Sequence, residues 1–165
     1  MTNPLSDLIL NFQNLVAEVP ELLQPLIVAL AGAIPFIEGE GAAVIGIVGG
    51  INPVVAAIAA IVGNFIAVTL VVLLGAGARS ALRRNSGEAK PRTARNEKFQ
   101  RAFRRYGVAG VSLLGPLLLP THFTAAALAG SGIPKAIVLF WQGIAIVLWT
   151  TILTLVVTGV ITFVG

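Results

Sequence analysis

Two long stretches of the chain, residues 54–77 and 136–164, are apolar almost throughout and contain no charged residue. A helix needs about 20 such residues to cross the hydrocarbon core of a bilayer, so each stretch is long enough to span it. Charged residues make up 11% of the chain, whereas a soluble domain carries about 25%. The composition excludes a water-soluble globular domain and a disordered chain, and it predicts an all-α polytopic membrane protein that forms a single membrane domain over residues 1–165.

The basic residues are concentrated in one segment between the apolar stretches. Ten of the eleven lysines and arginines lie between Arg79 and Arg105, with two acids among them. By the positive-inside rule this predicts a cytoplasmic loop over residues 78–106 of an inner (plasma) membrane protein, rather than a segment that binds nucleic acid. The end of the segment has one basic helical face, which predicts an interfacial helix that contacts lipid head groups. The expected contact residues are Arg95, Lys98, Arg101 and Arg105.

The two halves of the apolar sequence repeat with an offset of 81 residues, which relates Pro35 to Pro116 and Pro53 to Pro134. In each half, an apolar segment interrupted by proline and glycine precedes an unbroken stretch. The arms on either side of each interruption have about ten residues, half the length needed to cross a bilayer. We therefore expect an inverted repeat of a re-entrant hairpin and a transmembrane helix, over residues 22–77 and 107–165. The hairpin breaks are expected at Pro35, Gly39, Gly41, Pro116 and Pro120.

A second topology remains open, in which both interrupted segments cross the membrane and the chain has four spans. The hairpin topology puts Lys135 on the same side as the basic loop, which fits the positive-inside rule slightly better. Residues 1–21 are expected to form an N-terminal interfacial helix, and they lack the basic residues of a signal peptide. Its apolar face is expected to consist of Leu8, Phe12, Leu15 and Val19.

Motifs in both halves resemble known membrane protein families. The run Pro35-Phe36-Ile37-Glu38-Gly39-Glu40-Gly41-Ala42, followed by Gly63-Asn64, resembles the first half of the small multi-drug export protein family. The second half is similar to the DedA (VTT-domain) membrane proteins. The matching residues there are Phe103, Gly107, Gly110, Pro120, Ala129-Gly130, Phe140, Gly143 and Trp149.

This resemblance covers roughly residues 30–150, and it implies two facing re-entrant hairpins and a role in transport. The chain also departs from both families. DedA proteins carry arginines around the second-hairpin proline, where this chain has Leu117 and Phe123 near Pro120. In the small multi-drug family a basic residue often follows the first acid, where this chain has Glu40. The resemblance therefore does not extend to an arginine grip on a lipid phosphate.

The residues expected to carry chemistry are Glu38 and Glu40, the only acids in the apolar part of the chain. Acids at membrane depth are usually functional, so we expect them to bind protons and substrate, unless the hairpin tip lies in solvent. His122 is expected to pair with a carboxylate, accept its proton, or cap the second hairpin arm together with Thr121. Asn64 is a further candidate ligand, although Asn64, Gln142 and Thr150 are typical of interhelical hydrogen bonding.

These features predict a secondary transporter that exports small cationic or amphipathic compounds in exchange for protons, as a homodimer in contact with membrane lipids. Alternatives are a DedA-like transporter or scramblase for polyprenyl or phospholipid phosphates, a non-transporting membrane scaffold, and a four-span exporter of the small multidrug resistance kind. No enzymatic, ATP-binding or metal-binding motif occurs in the sequence. We therefore expect neither an enzyme nor a cofactor or metal site.

Overall fold

The computed structural model describes residues 4–85 and 107–164, with side chains at 4–75 and 107–163. These residues form helices joined by short turns, and no strand occurs among them, so the all-α prediction is confirmed. The helices are α1 (Pro4–Glu18), α2 (Gln24–Gly32), α3 (Glu38–Val48), α4 (Pro53–Asn85), α5 (residues 107–114), a 3-10 turn (Gly115–Leu117), α6 (Thr121–Gly130) and α7 (Lys135–Val164).

Two helices are long and apolar enough to cross a membrane. The candidate spans are Pro53–Gly75 in α4 and Lys135–Phe163 in α7, with 23 and 29 residues, against the roughly 20 that a bilayer requires. They correspond to the two apolar stretches of the sequence, and they support membrane association. Helix α4 continues beyond its apolar part to Asn85, so the predicted basic loop begins as helix over residues 78–85. The expected lipid contacts Arg95, Lys98, Arg101 and Arg105 lie outside the described residues.

The chain folds into two compact units that do not coincide with its sequence halves. The first unit contains the described residues of Met1–Ala67 and Ile146–Gly165, and the second those of Val68–Ala145. The first unit therefore combines α1, α2 and α3 with the start of α4 and the end of α7. The second unit combines the rest of α4 and the start of α7 with α5 and α6.

The first interrupted segment is a helical hairpin. Helix α2 ends at Gly32, α3 begins at Glu38, and the two helices pack against each other. The break coincides with Pro35, which has no backbone N–H to continue the helix. Phe36 and Glu38 have positive φ angles of 75° and 55°, which residues other than glycine rarely adopt outside turns. The arms of nine and eleven residues are about 14 and 17 Å long, half a bilayer core of about 30 Å.

Helix α1 covers this hairpin with most of the predicted face, but Leu15 departs from the prediction. Val16 is fully buried, and a Cβ at Gly49 would meet its side chain. The predicted residues Leu8 and Phe12 pack against the same core, together with Ile9. Leu15, which the sequence placed on the apolar face, is 43% exposed. The prediction was wrong there because the contact with the hairpin, rather than an average periodicity, fixes which side of the helix is buried.

In the second unit, the interruption expected around Pro116 is also present. Helix α5 gives way to the 3-10 turn at Gly115–Leu117, residues 118–120 are not helical, and α6 begins at Thr121. Gly115 lies against the side chain of Thr124. Both interrupted segments are followed by a turn with a positive-φ glycine, Gly50 and Gly132, and then by a long helix. The order of elements is therefore the same in the two sequence halves.

Candidate functional site

Glu38 begins helix α3 at the tip of the first hairpin and is buried, with 7% of its surface exposed. Charged side chains are almost never this deeply buried unless they are paired or have a function. The structure therefore agrees with the expectation that Glu38 does not lie in bulk solvent.

Gly39 brings two polar side chains to the same turn. A Cβ at this position would collide with Thr150 Oγ1 and would lie 3.5 Å from Asn64 Nδ2. Asn64 belongs to α4 and Thr150 to α7, and both are fully buried. Three helices of the first unit thus meet where only a glycine fits. We call Glu38, Gly39, Asn64 and Thr150 the tip cluster.

The Gly63-Asn64 pair explains how α4 reaches this position. A Cβ at Gly63 would overlap the backbone of Ala29, so α2 and α4 are in direct backbone contact there. Gly32, one turn further along α2, is similarly close to the backbone of Ala60. Such contacts are typical of glycine in packed membrane helices. Gly63 therefore allows α4 to pack closely against α2. This contact places the next residue, Asn64, at the tip cluster.

Glu40 differs from Glu38 in being only partly buried. It lies outside the two candidate spans, in the first turn of α3. Burial raises the pKa of its carboxyl to about 7, its own backbone N–H opposes the increase, and the charge of Glu38 adds to it. A carboxyl with this pKa exchanges its proton near neutral pH.

The other two predicted site residues, Thr121 and His122, belong to the second unit, where both are buried at the start of α6. The N-cap position of this helix is occupied by Pro120, which makes no side-chain cap, so Thr121 is the first helical residue rather than the cap. Gln142, fully buried in the same unit, donates from Nε2 to Ser112 Oγ at 3.4 Å. This hydrogen bond joins α7 to α5, as expected for a polar residue within a span.

The first unit brings together only some of the residues that the sequence singled out. Gly39, next to Glu38 in the chain, meets Asn64 in the tip cluster, while the pairing of His122 with a carboxylate stays a prediction. Thr150 was expected to form an interhelical hydrogen bond, which its buried hydroxyl does not make with the described part of the protein, and Thr154 and Thr158 were not singled out. A signal for all three exists in the sequence, because they follow one another at intervals of four residues. No protein-family model, curated protein or solved structure matches this chain.

Proposed function

We propose that the protein is a secondary membrane transporter that exchanges protons for small cationic or amphipathic compounds at the tip cluster. The observation that carries this proposal is the burial of Glu38 beside Gly39, where α3, α4 and α7 meet. A carboxyl group in this position can take up either a proton or a cationic compound as the partner of its charge. Binding of a cationic compound and binding of a proton are then mutually exclusive, which is the basis of exchange. Glu40, with its raised pKa, is the second proton-binding group.

The membrane arrangement belongs to the same proposal. The two hairpins are re-entrant, the two repeats are inverted, residues 78–106 face the cytoplasm, and the protein is a homodimer in the inner membrane. Support comes from the short arms of the first hairpin and from the matching order of elements in the two sequence halves. The resemblance to the small multi-drug export and DedA proteins points in the same direction.

Proton release tests the function directly. Purified protein in weakly buffered detergent is mixed with a cationic amphipathic dye, and the released protons are followed with a pH indicator. Wild type is expected to release protons on binding, and Glu38→Gln and Glu40→Gln are each expected to release fewer at neutral pH, because a glutamine cannot exchange a proton. Glu18→Gln is the matched control, since Glu18 is an exposed acid at the end of α1.

If Glu38→Gln and Glu40→Gln both release as many protons as wild type, the exchange mechanism is wrong. If neither substitution changes the result of any transport assay, the scaffold alternative is favoured. If wild type and both variants move labelled phospholipid between the two leaflets of liposomes, the lipid-transporter alternative is favoured.

A further inference from the structure

Helix α7 carries a row of threonines that starts at the tip cluster. Thr150, Thr154 and Thr158 follow one another every four residues, so they lie on the same face of the helix. All three belong to the first unit, as do Glu38 and Gly39. Val157, on the adjacent position, packs against the core formed by α1, α2 and α3. We call these three threonines the hydroxyl row.

The hydroxyl oxygens of this row are buried and make no hydrogen bond with the described part of the protein. Threonine in a helix ordinarily satisfies its hydroxyl by donating to the carbonyl four residues earlier. Thr162 does so, with Oγ1 donating to the Thr158 carbonyl at 2.9 Å. The hydroxyls of Thr150, Thr154 and Thr158 do not make this bond, so they are available to another hydrogen-bonding group.

Exposure increases steadily along the row. Thr150, in contact with Gly39, is fully buried, Thr154 is 8% exposed, Thr158 is partly exposed, and Thr162 is exposed. Eight residues of helix separate Thr150 from Thr158, or about 12 Å at 1.5 Å per residue. The exposure of the threonines thus increases from the tip cluster towards the C-terminal end of α7.

We propose that the hydroxyl row is a hydrated path through which Glu38 exchanges protons with the side of the membrane where α7 ends. Buried polar groups are commonly satisfied by bound water, and each threonine hydroxyl can both donate to and accept from it. A proton from hydronium at the surface passes along the water chain to the Glu38 carboxylate. An O–H bond forms on the carboxyl as one breaks on the adjacent water, and release follows the reverse course. The proposal rests on the proton-binding role of Glu38 in the proposed function.

Cysteine labelling tests the hydration of the row without reference to transport. The chain contains no cysteine, so Thr154→Cys and Thr158→Cys each introduce a single thiol. A membrane-impermeant cationic methanethiosulfonate reagent is applied to either side of reconstituted vesicles. Both thiols are expected to react from one side, Thr158→Cys the faster, because the reactive thiolate forms in water and not in lipid. Leu155→Cys, on the neighbouring position and 67% exposed, is the control that faces lipid, and its reaction is expected to be at least about tenfold slower.

Proton kinetics supply a second measurement. Thr154→Val replaces the hydroxyl by a methyl group of similar size, so it is expected to slow proton release by about tenfold without changing the number of protons released. Thr154→Ser, which keeps the hydroxyl, is expected to restore the rate. Labelling of Thr154→Cys no faster than that of Leu155→Cys, or an unaltered rate in Thr154→Val, would overturn the path. Loss of the proposed function is seen separately, as unchanged proton release in Glu38→Gln while the threonine positions still label.

Discussion

At the hairpin tip, position 39 has a requirement that only glycine meets. Gly39 is needed because Thr150 Oγ1 occupies the space where its side chain would be. Glu38 is buried in a backbone conformation with positive φ, which is uncommon for a residue with a side chain. The contact with Thr150, rather than helix propensity, explains the glycine near the start of α3.

The variant Gly39→Ala tests the tip cluster at this scale. The added methyl group meets the Thr150 hydroxyl, so we expect the protein to lose about 1–3 kcal/mol of stability, as overpacked sites do. The double variant Gly39→Ala with Thr150→Ala is expected to regain part of this loss, because the obstructing oxygen is absent. The measurement is thermal unfolding in detergent, followed by circular dichroism.

Gly159→Ala is the matched control for this series. Gly159 lies on α7, and a Cβ there would meet nothing within 4 Å. Alanine is a better helix former than glycine, so the control is expected to be neutral or slightly stabilising. Equal destabilisation by the two substitutions would contradict the contact between Gly39 and Thr150.

Secondary-structure elements approach one another in the first unit through small residues. The backbone of α2 at Ala29 touches α4 at Gly63, and Gly46 of α3 lies against Val28 and Ala56. Leu26 and Leu30, on the outer side of α2, are exposed. The low content of large side chains on the inner faces lets three helices come close enough for Asn64 and Thr150 to reach Gly39.

The variant Gly63→Ala tests this helix contact. Its methyl group would overlap backbone atoms of Ala29, which cannot move aside as a flexible side chain could. We expect a loss of about 1–3 kcal/mol of stability and weaker proton release, because α4 moves away from the hairpin and takes Asn64 with it. Gly75→Ala, on the same helix but with nothing near the added Cβ, is expected to behave as wild type. A Gly63→Ala protein with wild-type stability would contradict the backbone contact.

At the scale of the whole molecule, the long helices α4 and α7 each contribute to both compact units. Residues distant in sequence are therefore neighbours in the first unit, as Gly39 and Thr150 demonstrate. The unit boundary passes through the middle of the two candidate spans rather than through the basic segment. A division of the chain into sequence halves would miss this arrangement.

Reporter fusions at the two ends of the chain test the proposed membrane topology. With re-entrant hairpins, the chain crosses the membrane twice around the cytoplasmic basic segment, so both ends are expected on the outer side. Alkaline phosphatase, active only outside, should then be active at either end, and green fluorescent protein should not fluoresce there. The opposite result at both ends would favour four spans. A fusion within residues 86–94 is the internal control and should report the cytoplasm.

The sequence by itself determined the helical class, the two long apolar helices and the interruptions near Pro35 and Pro116, because hydrophobicity and the missing proline donor act locally. It also singled out Glu38 and Glu40 as the only acids in the apolar part of the chain, and the structure then found Glu38 to be the more deeply buried of the two. Only the tertiary structure decided that Thr150 meets Gly39, that Val16 rather than Leu15 is buried, and that the hydroxyls of Thr154 and Thr158 remain unsatisfied. The four-residue spacing places the threonines on one face of α7, but what that face contacts depends on helices that are far apart in the chain, and the spacing does not specify those contacts.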